Sequence, residues 1–524
     1  MPDFRNRPDL AQPPADAGGH LPAAAAFSAA EAWTLGLCLL AALAIRLVGL
    51  DRESFWFDEA DAASLSRSAL YDLLTGSARD DGNPQGFWVL GHGWRLLVGD
   101  ADFQLRLLPA LIGVASVAAI YALARQLGGV RLAQLSAFLV VINPGHIYLS
   151  QEYRGYTLLF LASVGILLTS WRYRVTRSGA VLLAYVLVAA LGMYVHYYVA
   201  LTVCAVNLWM LAAWRDRPLL LRWIGAQAAT LVLIAPVMLW ARDSVEWRVN
   251  GGSAGSLQHL AATPVTTLFG RTLVRKGDPT VGLAIIAVIA LLVVAACLWQ
   301  ARRRALAGRS LLWIAILLPM FAAALLASLG HMQSWDDRKA LTVAAPLLIL
   351  MSNGLLAMRM APRRSALGLL ILLSCVSLWR YGTETNRDDW RSVGQQLRLD
   401  LRPGDAVLIA PDFELISLER YFPPVLAAGQ GANPIFGFSD QTEYVRWESP
   451  RLMGLGAVPP PALAQASRIW LVRNQGMMGG VQEQRLITSG LQDQGEAHVH
   501  RFGRALEIRL YARPAAAEAG LKVQ

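Results

Sequence analysis

About eleven apolar segments, each near the ~20 residues a helix needs to cross a bilayer, constrain this chain more than any other feature. They cover approximately 33–50, 105–124, 131–149, 157–171, 179–195, 198–213, 223–241, 280–299, 310–329, 340–358 and 365–381. Only 16% of the 524 residues are charged, whereas a soluble globular chain carries about a quarter. The expected class is a polytopic α-helical membrane protein. The stretch 179–213 tests the count, because it is too long for one crossing at about 1.5 Å per residue and both its flanks are basic. Two short spans joined at His196-Tyr197-Tyr198 satisfy both facts.

The net charge of +10 does not point to nucleic acid. Much of the excess sits in five short loops, at 125–131, 172–177, 215–222, 302–309 and 359–364. With the spans above, all five share one face, which the positive-inside rule makes cytoplasmic. The loop 242–279 should then lie outside, although it carries Arg271, Arg275 and Lys276. Long loops of this kind are weak topology signals. Cys38, Cys204, Cys297 and Cys375 each fall in an apolar segment without metal or disulfide spacing, and read as small buried residues. Residues 1–30 are rich in Ala, Pro and Asp and read as a disordered cytoplasmic N-terminus, leaving 31–381 as the membrane module.

Three features share the opposite face. The first is the loop 51–102, with amphipathic helices expected over Glu59–Leu74 and Phe87–Val98 around a polar turn, Gly76 to Pro84; such helices lie in the membrane interface. The second is the turn Gln151-Glu-Tyr-Arg-Gly-Tyr156. The third is a C-terminal region, 382–524, of soluble composition. Strands are expected there at Val407–Ala410, Ile469–Val472, His498–Phe502 and Glu507–Tyr511. Helices are expected at Asp389–Leu399 and Val481–Leu491, with Gly476–Gly480 as a connecting loop. Their alternation suggests a small extracytoplasmic α/β domain.

Polar clusters on that face supply the candidate chemistry. Asp58 and Glu59 are consecutive, so on a helix they diverge by about 100°. One catalytic carboxylate with a supporting neighbour fits better than a paired-carboxylate site, and neutralising Glu59 should then be milder than neutralising Asp58. Both residues also suit an ordinary helix start, where acidic side chains favour the first turn. Glu152, Arg154 and Tyr156 form a short outer turn that equally suits interfacial anchoring. Asn143-Pro-Gly-His146 should kink or end the third span, with His146 a satisfied polar residue at the break. In His331-Met-Gln-Ser-Trp-Asp-Asp-Arg-Lys339, Arg338 and Lys339 enter the membrane from outside. Asp336 and Asp337 neutralise them, or else the two cations clamp a lipid phosphate, where positive charge stabilises a departing group.

Several of these stretches resemble, in order, the bacterial family 39-like branch of the GT-C glycosyltransferases, related to protein O-mannosyltransferases and the lipid A aminoarabinose transferase. Phe55-Trp-Phe-Asp-Glu-Ala resembles that family's first-loop acidic motif. Asn83-Pro-Gln-Gly-Phe-Trp88 resembles its His-Pro-Pro-aromatic element, with Asn83 in place of the histidine. Phe103-Gln-Leu-Arg-Leu-Leu-Pro109 resembles the arginine-bearing start of its second span, and Gln151–Tyr156 its Gln-Glu-x-Arg-x-Tyr turn. Asp389-Trp-Arg and Pro403-Gly-Asp-Ala-Val-Leu resemble the start of its outer domain.

The resemblance implies sugar transfer from a polyprenyl-phosphate donor to an acceptor hydroxyl on a glycolipid, polysaccharide or protein. It implies Asp58 as the base, Glu59 in support, and Arg154, Arg338 and Lys339 at the donor phosphate. Glu152, Tyr156, Asn83, Arg106 and His196 would line the substrate pocket. The resemblance fixes no cofactor, and a divalent cation stays open. The competing classes are a lipid or polysaccharide transporter, which tends to place polar sites near the bilayer midplane in repeated halves, and a non-catalytic envelope assembly protein. The polar clusters here lie at one face, and repeats are not apparent. The expected location is the bacterial cytoplasmic (inner) membrane.

Overall fold

The computed structural model describes residues 27–76, 83–250, 257–270, 272–273, 280–328, 338–422, 433–438, 444–448, 451–456, 461–474, 487, 490–495, 499–503 and 505–514. The expectations for most of residues 1–30, the centre of the polar turn, Asp336 and Asp337, Gly476–Gly480, His498 and most of Val481–Leu491 lie outside them.

The first span is α1 (Ala29–Leu47), opened by a capping box between Ser28 and Glu31. The outer loop folds as α2 (Phe57–Arg67), α3 (Leu70–Thr75) and α4 (Gly86–Val98). One helix was expected over Glu59–Leu74, and it breaks at Ser68, whose backbone is extended. The break turns Leu73 into the core and leaves Leu70, Tyr71 and Leu74 exposed, the pattern of a helix lying in a membrane interface.

The helical body continues through α5 (Asp102–Gly128), α6 (Val130–Val141), α7 (Pro144–Ser150), α8 (Tyr156–Thr176), α9 (Gly179–Val195), α10 (Val199–Leu211), α11 (Arg217–Asn250), α12 (Leu257–Phe269), α13 (Thr280–Ala301), α14 (Arg309–Ser328), α15 (Leu341–Ala357) and α16 (Met360–Thr383). Every expected apolar segment is helical. Among the described residues, five helices are long and apolar enough to cross a membrane, the pair α6–α7 bent by 60° makes a sixth, and five shorter apolar helices match the remaining segments. The bend falls at Asn143-Pro144. Proline cannot continue the helical ladder, and the Asn143 side chain accepts the His146 amide at 2.7 Å to start α7.

The outer loop expected over 242–279 is a correction. There α11 runs on to Asn250 and α12 follows, burying Val265, Leu268 and Phe269 in the membrane core. A 13-residue helix interrupted by Pro264 is too short to read as a span.

The basic loops gather at one end. The Ala307 amide donates to the Leu127 carbonyl at 3.2 Å, Trp209 Nε1 donates to Ser310 at 3.2 Å, Arg174 donates to the Trp209 carbonyl at 3.3 Å, and Arg304 donates to Asn353 at 3.1 Å. The outer helices and the C-terminal region occupy the other end.

That region contains α17 (Trp390–Asp400), β1 (Ala406–Ala410), α18 (Leu415–Tyr421), β2 (Ile435–Phe438), β3 (Tyr444–Glu448), β4 (Arg451–Gly456), α19 (Pro461–Ala464), β5 (Arg468–Asn474), β6 (Gln492–Asp493), β7 (Val499–Phe502) and β8 (Leu506–Ala512). The strands form one sheet in the order β4-β3-β2-β1-β5-β8-β6, with β7 also on β8. Strands β2, β1 and β5 are parallel, and the other pairs are antiparallel.

The sheet shares its core with the membrane module. Phe55, Ala63, Phe87, Trp88 and Tyr153 cluster with Trp390, Val407, Leu415 and Ile508. An ionic clamp closes the rim. Arg420 donates to Asp102 at 2.7 Å, Arg391 bridges Asp102 and Asp51 at 3.0 and 2.9 Å, and the Tyr421 hydroxyl donates to Asp102.

Candidate functional site

Two carboxylates begin α2, and the turn of the helix sends them to different surroundings. Glu59 points into the protein and is fully buried. Arg106 grips it with two bonds, Nε to Oε1 at 2.8 Å and Nη2 to Oε2 at 2.7 Å. The Tyr153 amide donates to it at 2.8 Å, and Arg387 Nη1 lies 3.2 Å from Oε2. Burial opposes the charge, and the two guanidiniums outweigh it, so the carboxyl is held below its usual range.

Arg106 spends its other donors on the carbonyls of Leu50, Glu53 and Ser54, at 3.1, 2.7 and 3.1 Å. All five guanidinium hydrogens are thus used. Glu59 and Arg106, expected beside the substrate, together fasten residues 50–54, α2, α5 and the Tyr153 turn. Glu152 is buried in the same layer, where its charge joins that of Glu59 in keeping Arg387 ionised against burial.

Asp58 faces the other way and is half-buried. Its Oδ2 accepts from Arg338 Nη1 at 2.8 Å, and Arg154 Nη1 donates to its backbone carbonyl at 2.9 Å. Arg154 also lies 3.7 Å from Asp61. The Arg338 guanidinium rests 4.6 Å from the Trp56 ring centre and 5.6 Å from that of Tyr156. From Tyr156 an aromatic chain continues to His196 at 6.0 Å and to Tyr198 at 5.5 Å. Lys339 Nζ lies 5.8 Å over the Tyr198 ring. On the sheet side Phe57 packs edge-on against Phe413 at 4.9 Å.

One continuous chain of contacts therefore joins Asp58, Arg154, Arg338, Tyr156, His196 and Lys339, drawn from four separate stretches of sequence. Asn83 is half-buried just ahead of α4. Sequence reasoning passed over Trp56, Asp61, Tyr198, Arg387 and Glu414. Trp56 lies inside a stretch singled out for the family resemblance and Arg387 two residues before another, and that placement was the available signal. Among the described residues, no three His, Cys, Asp or Glu side chains gather as a metal site.

The arrangement pairs one accessible carboxylate with cations that aromatic rings hold in place. It can take a proton from a hydroxyl and present positive charge to an anion beside it.

Residues 81–240 match the family model described as dolichyl-phosphate-mannose-protein mannosyltransferase. Among solved structures, the Archaeoglobus fulgidus oligosaccharyltransferase tethered to an acceptor peptide is 14% identical, with a TM-score of 0.51 over 92% of this chain and 74% of that one. ArnT from Cupriavidus metallidurans in the apo state is also 14% identical, with a TM-score of 0.48 over 94% of this chain and 99% of that one. No curated protein sequence matches the chain. The chain shares the fold of that oligosaccharyltransferase.

Proposed function

We propose that this chain transfers a sugar from a polyprenyl-phosphate donor to an acceptor hydroxyl at the outer face of a bacterial cytoplasmic membrane, with inversion and with Asp58 as base. The observation that carries the reading is the Asp58–Arg338 ion pair at 2.8 Å, set beside Arg154 at the end of the protein away from the basic loops. The family model matched over residues 81–240 is named for a lipid-phosphate sugar donor, which supports the same donor class. The outer location suits a lipid-borne donor, because nucleotide sugars are cytoplasmic, and the positive-inside rule supports that orientation.

Each residue has a distinct role. The Asp58 carboxylate takes the proton of the acceptor hydroxyl as its oxygen attacks the anomeric carbon. The bond from that carbon to the phosphate oxygen breaks, and its electron pair leaves with the lipid phosphate. That anion needs cations rather than an acid, and Arg338, Lys339 and Arg154 supply them. Before the donor arrives, Arg338 is engaged with Asp58. A phosphate that draws Arg338 away would free the carboxylate as the leaving group is captured, so the base becomes available when the donor is seated.

The test is transfer by purified protein from a short-chain polyprenyl-phosphate sugar, with a nucleotide sugar as control. Asp58→Asn keeps the shape and should lose about 10²–10⁴-fold in turnover while retaining its unfolding temperature. Undiminished transfer by a folded Asp58→Asn protein, or transfer from the nucleotide sugar alone, would falsify the reading.

A further inference from the structure

Arg46, in the last turn of α1, is fully buried. Its guanidinium makes four bonds, all to neutral groups. Nε donates to the Ser150 hydroxyl at 3.2 Å, and Nη1 to the Ala42 carbonyl at 3.1 Å. Nη2 donates to the Val140 carbonyl at 3.3 Å and to His146 Nδ1 at 3.0 Å; arginine has no acceptor, so the ring nitrogen takes that bond. An ionised side chain in a membrane span is expensive and marks a function. We infer that Arg46 is a positioning residue for the transfer site: it braces the bend between α6 and α7, and so sets where Arg154 meets Asp58. The inference rests on the transferase reading above.

The bend creates the need that Arg46 fills. In a continuous helix the Val140 carbonyl would accept the amide of residue 144, and Pro144 has no N–H to give. Arg46 Nη2 supplies a donor to that carbonyl, beside the Asn143 amide at 3.3 Å. The same guanidinium reaches across the 60° bend to His146 and Ser150 on α7. It therefore ties the last turn of α6 and the body of α7 to the end of α1. A lysine in its place carries one ammonium and lacks the fork that spans these groups.

The brace continues into the site. Gln151 Nε2 donates to the Arg46 and Val48 carbonyls at 2.9 and 2.8 Å, so the residue after Ser150 is fastened to the same turn of α1. Two residues on, the Tyr153 amide donates to Glu59 at 2.8 Å. Next, Arg154 donates to the Asp58 carbonyl at 2.9 Å. Helix α7 and the turn after it thus form a short arm, with Arg46 at its base and Arg154 at its tip.

Packing leaves the brace no slack. Gly113 of α5 lies against it, and a Cβ there would come 2.4 Å from Ser150 Oγ and 2.9 Å from Arg46 Nε. Both are side-chain atoms, so an alanine at 113 moves the brace and leaves the backbones where they are. Gly113→Ala therefore perturbs the same device from another helix while keeping every charge and every hydrogen-bonding group.

The experiment measures transfer by the full-length protein in detergent from a short-chain polyprenyl-phosphate sugar, with turnover expressed per folded molecule. Arg46→Lys, Gly113→Ala and Arg154→Gln are made singly, and each of the first two is combined with the third. Misplacing a group at the site by about 1 Å can cost ~10²-fold, so Arg46→Lys should lower turnover by about ten- to a hundredfold, and Gly113→Ala should lower it in the same direction. Both act through Arg154, so adding either to Arg154→Gln should cost little more, as expected for residues in one network. Turnover per folded molecule that stays at the wild-type level, with only the unfolding temperature lowered, overturns the inference. Single losses that multiply in the double variants also overturn it and leave the transferase reading standing. If Arg154→Gln itself transfers and binds polyprenyl phosphate normally, the donor role of Arg154 falls, and the brace with it. Should Arg46→Lys fail to fold, Gly113→Ala carries the same test.

Discussion

Asp58 and Glu59 are neighbours in sequence with opposite fates. Around Glu59 two guanidiniums and a backbone amide converge on a fully buried carboxylate. Around Asp58 the carboxylate is partly open, and one guanidinium donates to one of its oxygens at 2.8 Å. The first shell is closed and over-determined; the second leaves room for a reactant. A carboxylate fixed by three donors is a fastener, because releasing it strands buried charge. A carboxylate with one exchangeable cation can change partners.

The largest expected effect therefore falls on the residue that sequence reasoning ranked second. Glu59→Gln leaves Arg106 and Arg387 buried without their anion. Breaking a buried pair in this way costs about 3–5 kcal/mol, a large share of typical domain stability. Thermal unfolding in detergent should drop sharply or folded yield collapse, whereas Asp58→Asn should unfold near wild type. A Glu59→Gln protein with normal thermal stability would dissolve the distinction between the two shells.

Arg338 sharpens the second shell. Arg338→Lys keeps the charge and loses the planar group that spans Asp58 and the rings of Trp56 and Tyr156. Donor affinity should fall by roughly tenfold, about 1.4 kcal/mol, with little change in unfolding temperature. Binding of a polyprenyl-phosphate analogue reports it. Unchanged affinity would mean that Arg338 is only Asp58's counter-ion.

What could be read in advance follows from the range of each interaction. Spans depend on local apolar length, and every expected one is a helix. Strands β1 and β5 carry the compact apolar runs Val-Leu-Ile-Ala and Ile-Trp-Leu-Val, β8 alternates apolar and charged residues as Leu-Glu-Ile-Arg-Leu-Tyr, and all three were anticipated. Strand β3, Tyr-Val-Arg-Trp-Glu, and strand β4, with Gly454 and Gly456, lie toward one edge of the sheet and lack that signature, so they were not. Helix α12 was missed because Pro264 divides a short run. Asp58 was singled out through motif order. Its partner Arg338 is 280 positions away, and Glu59's partner Arg106 is 47 away. Chain folding alone creates such pairs, so no local pattern could assign one carboxylate to structure and the other to an open site.

A third carboxyl extends the comparison through its response to pH. Glu414 is as buried as Glu59, but its bond is with the Ser417 hydroxyl at 2.9 Å, and the charges that act on it, Asp388 and Asp58, are negative. Burial, reinforced by those charges, pushes it up to about 8 from an ordinary 4.5. The folded protein thus keeps this proton to about pH 8, while the unfolded chain releases it above about 4.5. Between those values the folded state binds more protons, so stability falls as pH rises and levels off above about 8. Glu414→Gln removes the titration and keeps the shape. The variant's unfolding temperature should change little relative to wild type near pH 5 and exceed it by a few degrees near pH 8.5. A difference independent of pH would show that Glu414 is ionised in the folded protein, and that burial without a guanidinium does not separate it from Glu59.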